Sequence, residues 1–399
     1  MVKRSLTTAA QRHGIALCLC CIAFVASLGF AIEKEPLQEY RGRRERLAER
    51  IKGNVLVLRA APDQELVKYR QEPNFYYLTG FDEPNAILLL DAASDPPQEF
   101  LFLPERKRSE ERWTGPKLGP GPEAEKRTGI SKVLSTTEFD STLKKAEEQA
   151  KAVYTLKDVE NEIAYLRQVK SATEIAFLEK AVRITLKGQQ AAARAIAPNV
   201  MEYEVEAALE YEFRRNGAES PGFPSIVGSG PFSTILHYDK SERRMQAADV
   251  VVVDIGAQYA AYSADVTRTF PVSGKFSPRQ REIYQIVLDA QKLAIAKVKP
   301  GVRISDLHQA AMGHIRSKGY EKYFVHGTSH HIGLEVHDAG DVSRPLEANM
   351  VITVEPGIYI PEEQIGIRIE DDVLVTQTGH RVLSTFPKEI PEIEALVKR

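Results

Sequence analysis

Between Leu37 and Ile51 the chain is strongly charged, with apolar residues at helical spacing. Short apolar runs at 54–60, 86–90 and 100–103, each bounded by turn residues, predict strands. The Gly/Pro stretch 115–122 predicts a loop, 138–151 a helix and 152–155 a strand. The character changes across 156–167. Two long amphipathic helices follow over 172–195 and 202–216, then short strands at 225–227 and 234–236. Val250–Asp254 and Asp265–Phe270 read as two arms of a hairpin, with Gly256 in the region between them. Helices return at 278–297 and 304–318, and two long strands, 351–360 and 366–376, close the pattern. Helices packed on a curved, mainly antiparallel sheet make the class α+β, with a smaller mixed α/β domain in front. The predicted division is 32–158 and 159–399. A length of 399 residues suits two domains.

Residues 1–31 stand apart. Lys3, Arg4 and Arg12 precede an uncharged apolar run from Ile15 to Phe30, and Gly29 and Ala31 supply small residues for cleavage. This is the pattern of an export signal, which places the chain in a periplasm or outside the cell. The run falls short of the roughly 20 residues that span a bilayer, so a membrane anchor is the lesser reading. Removing the segment takes away Cys18, Cys20 and Cys21, which are all the cysteines, and with them any thiol nucleophile or disulfide. A net charge of −2 gives no basic field for nucleic acid.

Histidines gather at His326, His330, His331 and His337, a density that points to metal or acid–base chemistry. Asp254 ends a run of four valines, where a charge is costly unless paired or bound to a cation. A hairpin would set Asp265 beside it, and two close carboxylates repel unless protonated or bridged. Alone, the pair reads equally as two solvent-facing hairpin ends. Glu355 interrupts the apolar run 350–354. Arg368 and Glu370 alternate with Ile367 and Ile369, which puts them on one face, as a surface ladder would also do. Four carboxylates with a histidine make a hard, oxygen-rich site suited to Mn²⁺, less securely to Fe²⁺, Co²⁺ or Zn²⁺. Two ions sharing carboxylates would make hydroxide available near neutral pH and equip the chain for amide hydrolysis.

The segments around Asp254, Asp265, His326–His330, Val336–Asp338, Glu355-Pro-Gly and Gly-Ile-Arg368-Ile-Glu370-Asp-Asp resemble the pita-bread metallopeptidases, a family that includes aminopeptidase P, prolidase and methionine aminopeptidase. Residues 69–81, Tyr-Arg-Gln-Glu-Pro-Asn-Phe-Tyr-Tyr-Leu-Thr-Gly-Phe, resemble the amino-terminal domain of aminopeptidase P, which methionine aminopeptidases lack. The resemblance implies a pita-bread catalytic domain that removes an N-terminal residue preceding proline through a metal-bridging hydroxide. It implies two divalent ions held by Asp254, Asp265, His330, Glu355 and Glu370, with Glu355 also the general base. His237 and His326 would line the substrate pocket, His337 would bond the scissile carbonyl, Arg368 would orient carboxylates, and Arg344 would assist. It further implies a dimer or tetramer whose first domain helps close the site. Trp113 then either lines the pocket or packs, and His331 either shapes the pocket wall or is merely tolerated. A prolidase restricted to Xaa-Pro dipeptides uses the same ligands. A metal-free creatinase-type relative would lose them.

Overall fold

The computed structural model describes residues 33–397; the predicted export segment, its three cysteines included, lies outside them. The first half is a five-stranded sheet ordered Val133–Ser135, Gln98–Leu103, Ile87–Asp91, Val55–Arg59 and Val153–Tyr154. Its two outer strands run parallel to their neighbours, and the inner pairings are antiparallel. Successive side chains serve opposite faces. Leu56, Leu58, Leu88, Leu90, Leu101 and Leu103 pack with the Leu37–Arg50 helix, whereas Val55, Ile87, Leu89 and Phe102 pack with Phe139. The first of these clusters continues through Val159, Phe177, Tyr262, Ile332 and Val351, so the two halves share a core.

A helix the sequence pattern did not anticipate, Leu156–Gln168, leads into the second half. The Ala172–Ala195 helix begins at a capping box in which Ser171 and Glu174 satisfy each other's backbone N–H groups. Ser277 and Gln280 do the same for Pro278–Ile295, where Pro278 sits in the first turn. These helices cover a three-stranded antiparallel unit, Ile226–Ser229, Val250–Ile255 and Val266–Pro271. Among the described residues no helix is long and apolar enough to cross a membrane.

Two expectations need correction. Residues 234–236 are not a strand: Gly230–Thr234 forms a 3₁₀ turn that Pro231 starts, and the chain leaves it irregularly. The two long closing strands are each broken. Val351–Val354 pairs with Asp371–Val375, and Gly357–Ile360 pairs with Ile365–Arg368. Residues 355–356 and 369–370 lie between the two ladders. Pro356 lacks the N–H a ladder requires. The Glu355 N–H turns instead to the Thr328 carbonyl (2.8 Å) and the Glu370 N–H to the Thr267 carbonyl (3.1 Å). Both predicted ligands therefore sit at the break.

Candidate metal centre

The hairpin reading holds in its main feature. The Val250–Ile255 and Val266–Pro271 strands pair antiparallel, with Asp254 opposite Thr267. Asp265 stands just before its strand, where its N–H donates to Asp372 Oδ2 (3.1 Å). The β-carbon that any other residue would carry at Gly256 would fall 1.8 Å from the Ala264 carbonyl oxygen, so glycine permits this close crossing.

His330 Nδ1 lies 3.0 Å from the His331 carbonyl oxygen, which can only accept, so Nδ1 carries the proton. The bare Nε2 then faces Asp265 Oδ2 at 3.6 Å and Glu355 Oε1 at 3.3 Å. Three acceptors pointed at one another repel unless a cation or protons lie between them. Ligand atoms of Asp265, His330 and Glu370 all lie within 4.8 Å of one another. Asp254 Oδ1 and Asp265 Oδ1 are buried without a hydrogen-bond partner. Buried carboxylate oxygens left unpaired are costly, and a divalent cation relieves them. The donors present therefore fit a metal centre.

Arg368 ties the opposite side together. It donates to Asp254 Oδ2 (2.5 Å), to the Tyr359 hydroxyl (2.8 Å) and to Thr267 Oγ1 (3.2 Å). Thr267 Oγ1 donates in turn to Glu370 Oε2 (2.7 Å). His326 Nδ1 donates to the Gly327 carbonyl (2.7 Å), which leaves Nε2 to accept from the Tyr359 hydroxyl (2.9 Å). His337 packs edge-on against His330 with ring centroids 4.4 Å apart. His237, His326 and His337 line a cavity of about 540 Å³ with Asp254, Asp265, His330, Glu355, Arg368 and Glu370. The apolar part of its wall comes from Phe223, Pro224, Ile226, Leu236 and Val336.

Burial, then the neighbouring acids, holds Asp265 and Glu370 well above the usual carboxylate range. Burial pushes Glu355 up to about 8, although Arg368 opposes it. Burial also depresses His330 and His326 to about 4, so both are neutral at pH 7. Without a cation the acids keep protons that the unfolded chain would release. For Glu355 that stability is present below an unfolded value near 4.5 and is lost as pH rises through about 8. The thermal midpoint of the metal-free chain is therefore expected to fall between pH 6 and pH 8.5, and Mn²⁺ to abolish the fall. A metal-free midpoint that rises across that interval would contradict this electrostatic picture.

All nine predicted site residues meet in this cavity. Three subsidiary residues lie outside it. Trp113 is 88 % exposed and, among the described residues of its own chain, neither packs nor lines the cavity. Its helix, Glu111–Thr114, is one turn long with no buried residue to turn the indole inward. Arg344 lies over the Tyr165 ring at 3.8 Å and bonds Gln168 and Glu347, away from the ligands. His331 is buried on the far side of its segment, with Nε2 3.0 Å from Gln168 Nε2, and shapes no wall. Thr267, Thr353, Tyr359 and Asp372 also belong to the site, through bonds to Glu370, the His330 N–H, His326 and the Asp265 N–H. For Thr267 the signal existed, because two residues along a strand from Asp265 returns to the same face.

The sequence profile of metallopeptidase family M24 matches residues 176–377, and that of the aminopeptidase P N-terminal domain matches residues 40–154. A Xaa-Pro aminopeptidase from Haemophilus influenzae is 35% identical over 422 residues, spanning 91% of this chain and 98% of its own. A Xaa-Pro dipeptidase from Pyrococcus furiosus is 42% identical but over 242 residues, 60% of this chain and 69% of its own. The crystal structure of Escherichia coli aminopeptidase P with the inhibitor Pro-Leu superposes with a TM-score of 0.86 at 32% identity, over 92% of this chain and 99% of that one. Both halves are accounted for by one kind of relative, and the chain belongs to metallopeptidase family M24, on its aminopeptidase P branch.

Proposed function

We propose that the chain hydrolyses the bond between an N-terminal residue and a following proline, with Asp254, Asp265, His330, Glu355 and Glu370 holding two divalent cations. The observation that carries this reading is the buried knot of acids and a neutral imidazole at the foot of a half-apolar cavity. Bound there, the cations supply Lewis acidity and a nucleophile at neutral pH. The chain's own groups do the rest. Glu355, ionised once the cations are bound, serves as the base. His337 and His237 offer N–H donors to the scissile carbonyl oxygen and to the charge that develops on it. Arg368 fixes Asp254 and, through Tyr359, the His326 ring. Proline offers no N–H and a fixed φ, so recognition rests on shape, which Phe223, Pro224, Ile226, Leu236 and Val336 supply.

Four carboxylates to one imidazole favour a hard ion, and Mn²⁺ is the proposed occupant. The basic, apolar and small-residue succession of 1–31 supports export, to a periplasm or the medium, with cleavage after Ala31. Relatives of this kind support a homo-oligomer, a dimer or tetramer, by analogy. One preparation tests the assignment. Purified from an exporting host and loaded with Mn²⁺, the chain is expected to begin at Ile32 and to release the first residue from Xaa-Pro tripeptides, but not from Xaa-Ala controls. Cleavage confined to Xaa-Pro dipeptides would make it a dipeptidase. Intact Xaa-Pro peptides of every length would refute the activity.

A further inference from the structure

His337 stands in the cavity, while the next residue, Asp338, turns the other way and is buried. The Asp338 carboxylate closes its own turn by accepting the Glu335 N–H (3.3 Å), and the Asp338 N–H donates to the His331 carbonyl (2.9 Å). It also accepts from two cations at the end of the Leu156–Gln168 helix and just beyond it. Arg167 donates through Nη2, and Lys170 Nζ lies 2.9 Å from Oδ2. Both cations are buried, and Lys170 Nζ also donates to the Arg167 carbonyl (2.8 Å). Arg167 Nη1 reaches across to the first half, where Asn74 Oδ1 accepts it at 2.7 Å. Asn74 is itself held, because its side-chain amide donates to Glu72 Oε1 (3.0 Å) at the start of the Pro73–Thr79 helix. A continuous line of hydrogen bonds therefore runs from Glu72 through Asn74, Arg167 and Asp338 to the peptide that carries His337.

We propose that Asn74, Arg167 and Asp338 are positioning residues through which the first half of the chain sets the attitude of His337, and so contributes to turnover without touching substrate. The proposal rests on the reading of His337 as a donor to the scissile carbonyl. A donor aimed at a developing charge loses much of its effect when displaced by a fraction of an ångström. The guanidinium plane fixes direction as well as charge, which a lone lysine on Asp338 could not do.

Asn74→Ala tests this with little threat to the fold, since it removes one acceptor and leaves Arg167 paired with Asp338 and Glu335. On an Xaa-Pro tripeptide it should lower kcat about tenfold, within the range for groups that act behind a site. KM should stay within about twofold and the metal content unchanged, the pattern of a contact felt only in the transition state. Asn74→Asp keeps the Oδ acceptor for Arg167 but loses the amide that holds it to Glu72, so it should restore kcat only in part. Arg70→Leu removes a different bond between the halves, to Gln258 (3.2 Å), and should leave kcat at the parental value. In zinc-loaded protein the His337 imidazole resonances should shift in Asn74→Ala and return part of the way in Asn74→Asp, whether or not a peptide is turned over. Parental kcat with unshifted resonances in Asn74→Ala overturns the proposal, as does a rise in KM alone. An equal loss in Arg70→Leu also overturns it, by tracing the effect to loosened packing. Failure of the parent to cleave would count against the assigned activity, while the resonances still judge the relay.

Discussion

Glu355→Gln is expected to lower kcat on an Xaa-Pro tripeptide by about a thousandfold, the size of an effect that removes a positioned base. The change is nearly isosteric. It preserves an acceptor for the Thr353 hydroxyl (3.4 Å) and the backbone bond to Thr328 (2.8 Å), so local geometry survives. What disappears is a carboxylate that faces the bare Nε2 of His330 at 3.3 Å. With the cations bound that group would be ionised, the form that takes up a proton and later returns it. An amide does neither. The variant also weakens one ligand, so metal content separates the two contributions. Two ions retained with turnover lost assigns the loss to the base, and ions lost assigns it to ligation. A variant that keeps more than a tenth of the parental kcat would remove Glu355 from the reaction.

Arg268→Met should cost about 3–5 kcal/mol of unfolding free energy, the range for breaking a buried ion pair from one side. Arg268 is fully buried, and its guanidinium uses all its donor atoms. Nε donates to the Pro387 carbonyl (3.0 Å) and Nη1 to those of Thr267 (2.9 Å) and Glu370 (2.6 Å). Nη2 donates to Asp371 Oδ1 (2.8 Å) and to the Phe386 carbonyl (3.0 Å). Methionine fills much of the volume but takes the guanidinium from the Glu370, Phe386 and Pro387 carbonyls, while that of Thr267 keeps the Glu370 N–H. Asp371 fares better, since Lys388 (2.6 Å), Gln291 (2.9 Å) and Ser384 (2.8 Å) still reach it. Lysine should rescue poorly, because its single ammonium cannot span that fork. Urea unfolding of the metal-free chain gives the value. A loss below about 1 kcal/mol would place the group among ordinary surface pairs.

These two residues mark what the sequence could and could not convey. Glu355 announced itself, because an acid inside an apolar run has few harmless explanations. The helices that begin after Ser171 and Ser277 were equally plain, since periodicity and these caps are local signals. Arg268 read as an ordinary polar position in a strand. Its importance comes from Glu370, Asp371, Phe386 and Pro387, more than a hundred residues away. Arg167 and Asp338 are 171 positions apart and were silent for the same reason. The breaks at 355–356 and 369–370 were hidden because hydrophobicity continues across them, and only pairing partners reveal the change of ladder. The sequence left the direction of His331 open because residues 326–332 form no regular element, so no period fixes which way a side chain points.

Those breaks carry a mechanical consequence. In an unbroken hairpin a slip of one residue anywhere would turn every side chain over, ligands included. Here the Gly357–Ile360/Ile365–Arg368 ladder is zipped separately from Val351–Val354/Asp371–Val375, and the Glu355 and Glu370 amides are pinned to third parties, Thr328 and Thr267. The joint acts as a firebreak. Rearrangement at the outer turn, Pro361–Gln364, is kept from the two acids by that joint, but the ladder beside it carries Tyr359 and Arg368, so the freedom to vary belongs to the turn alone.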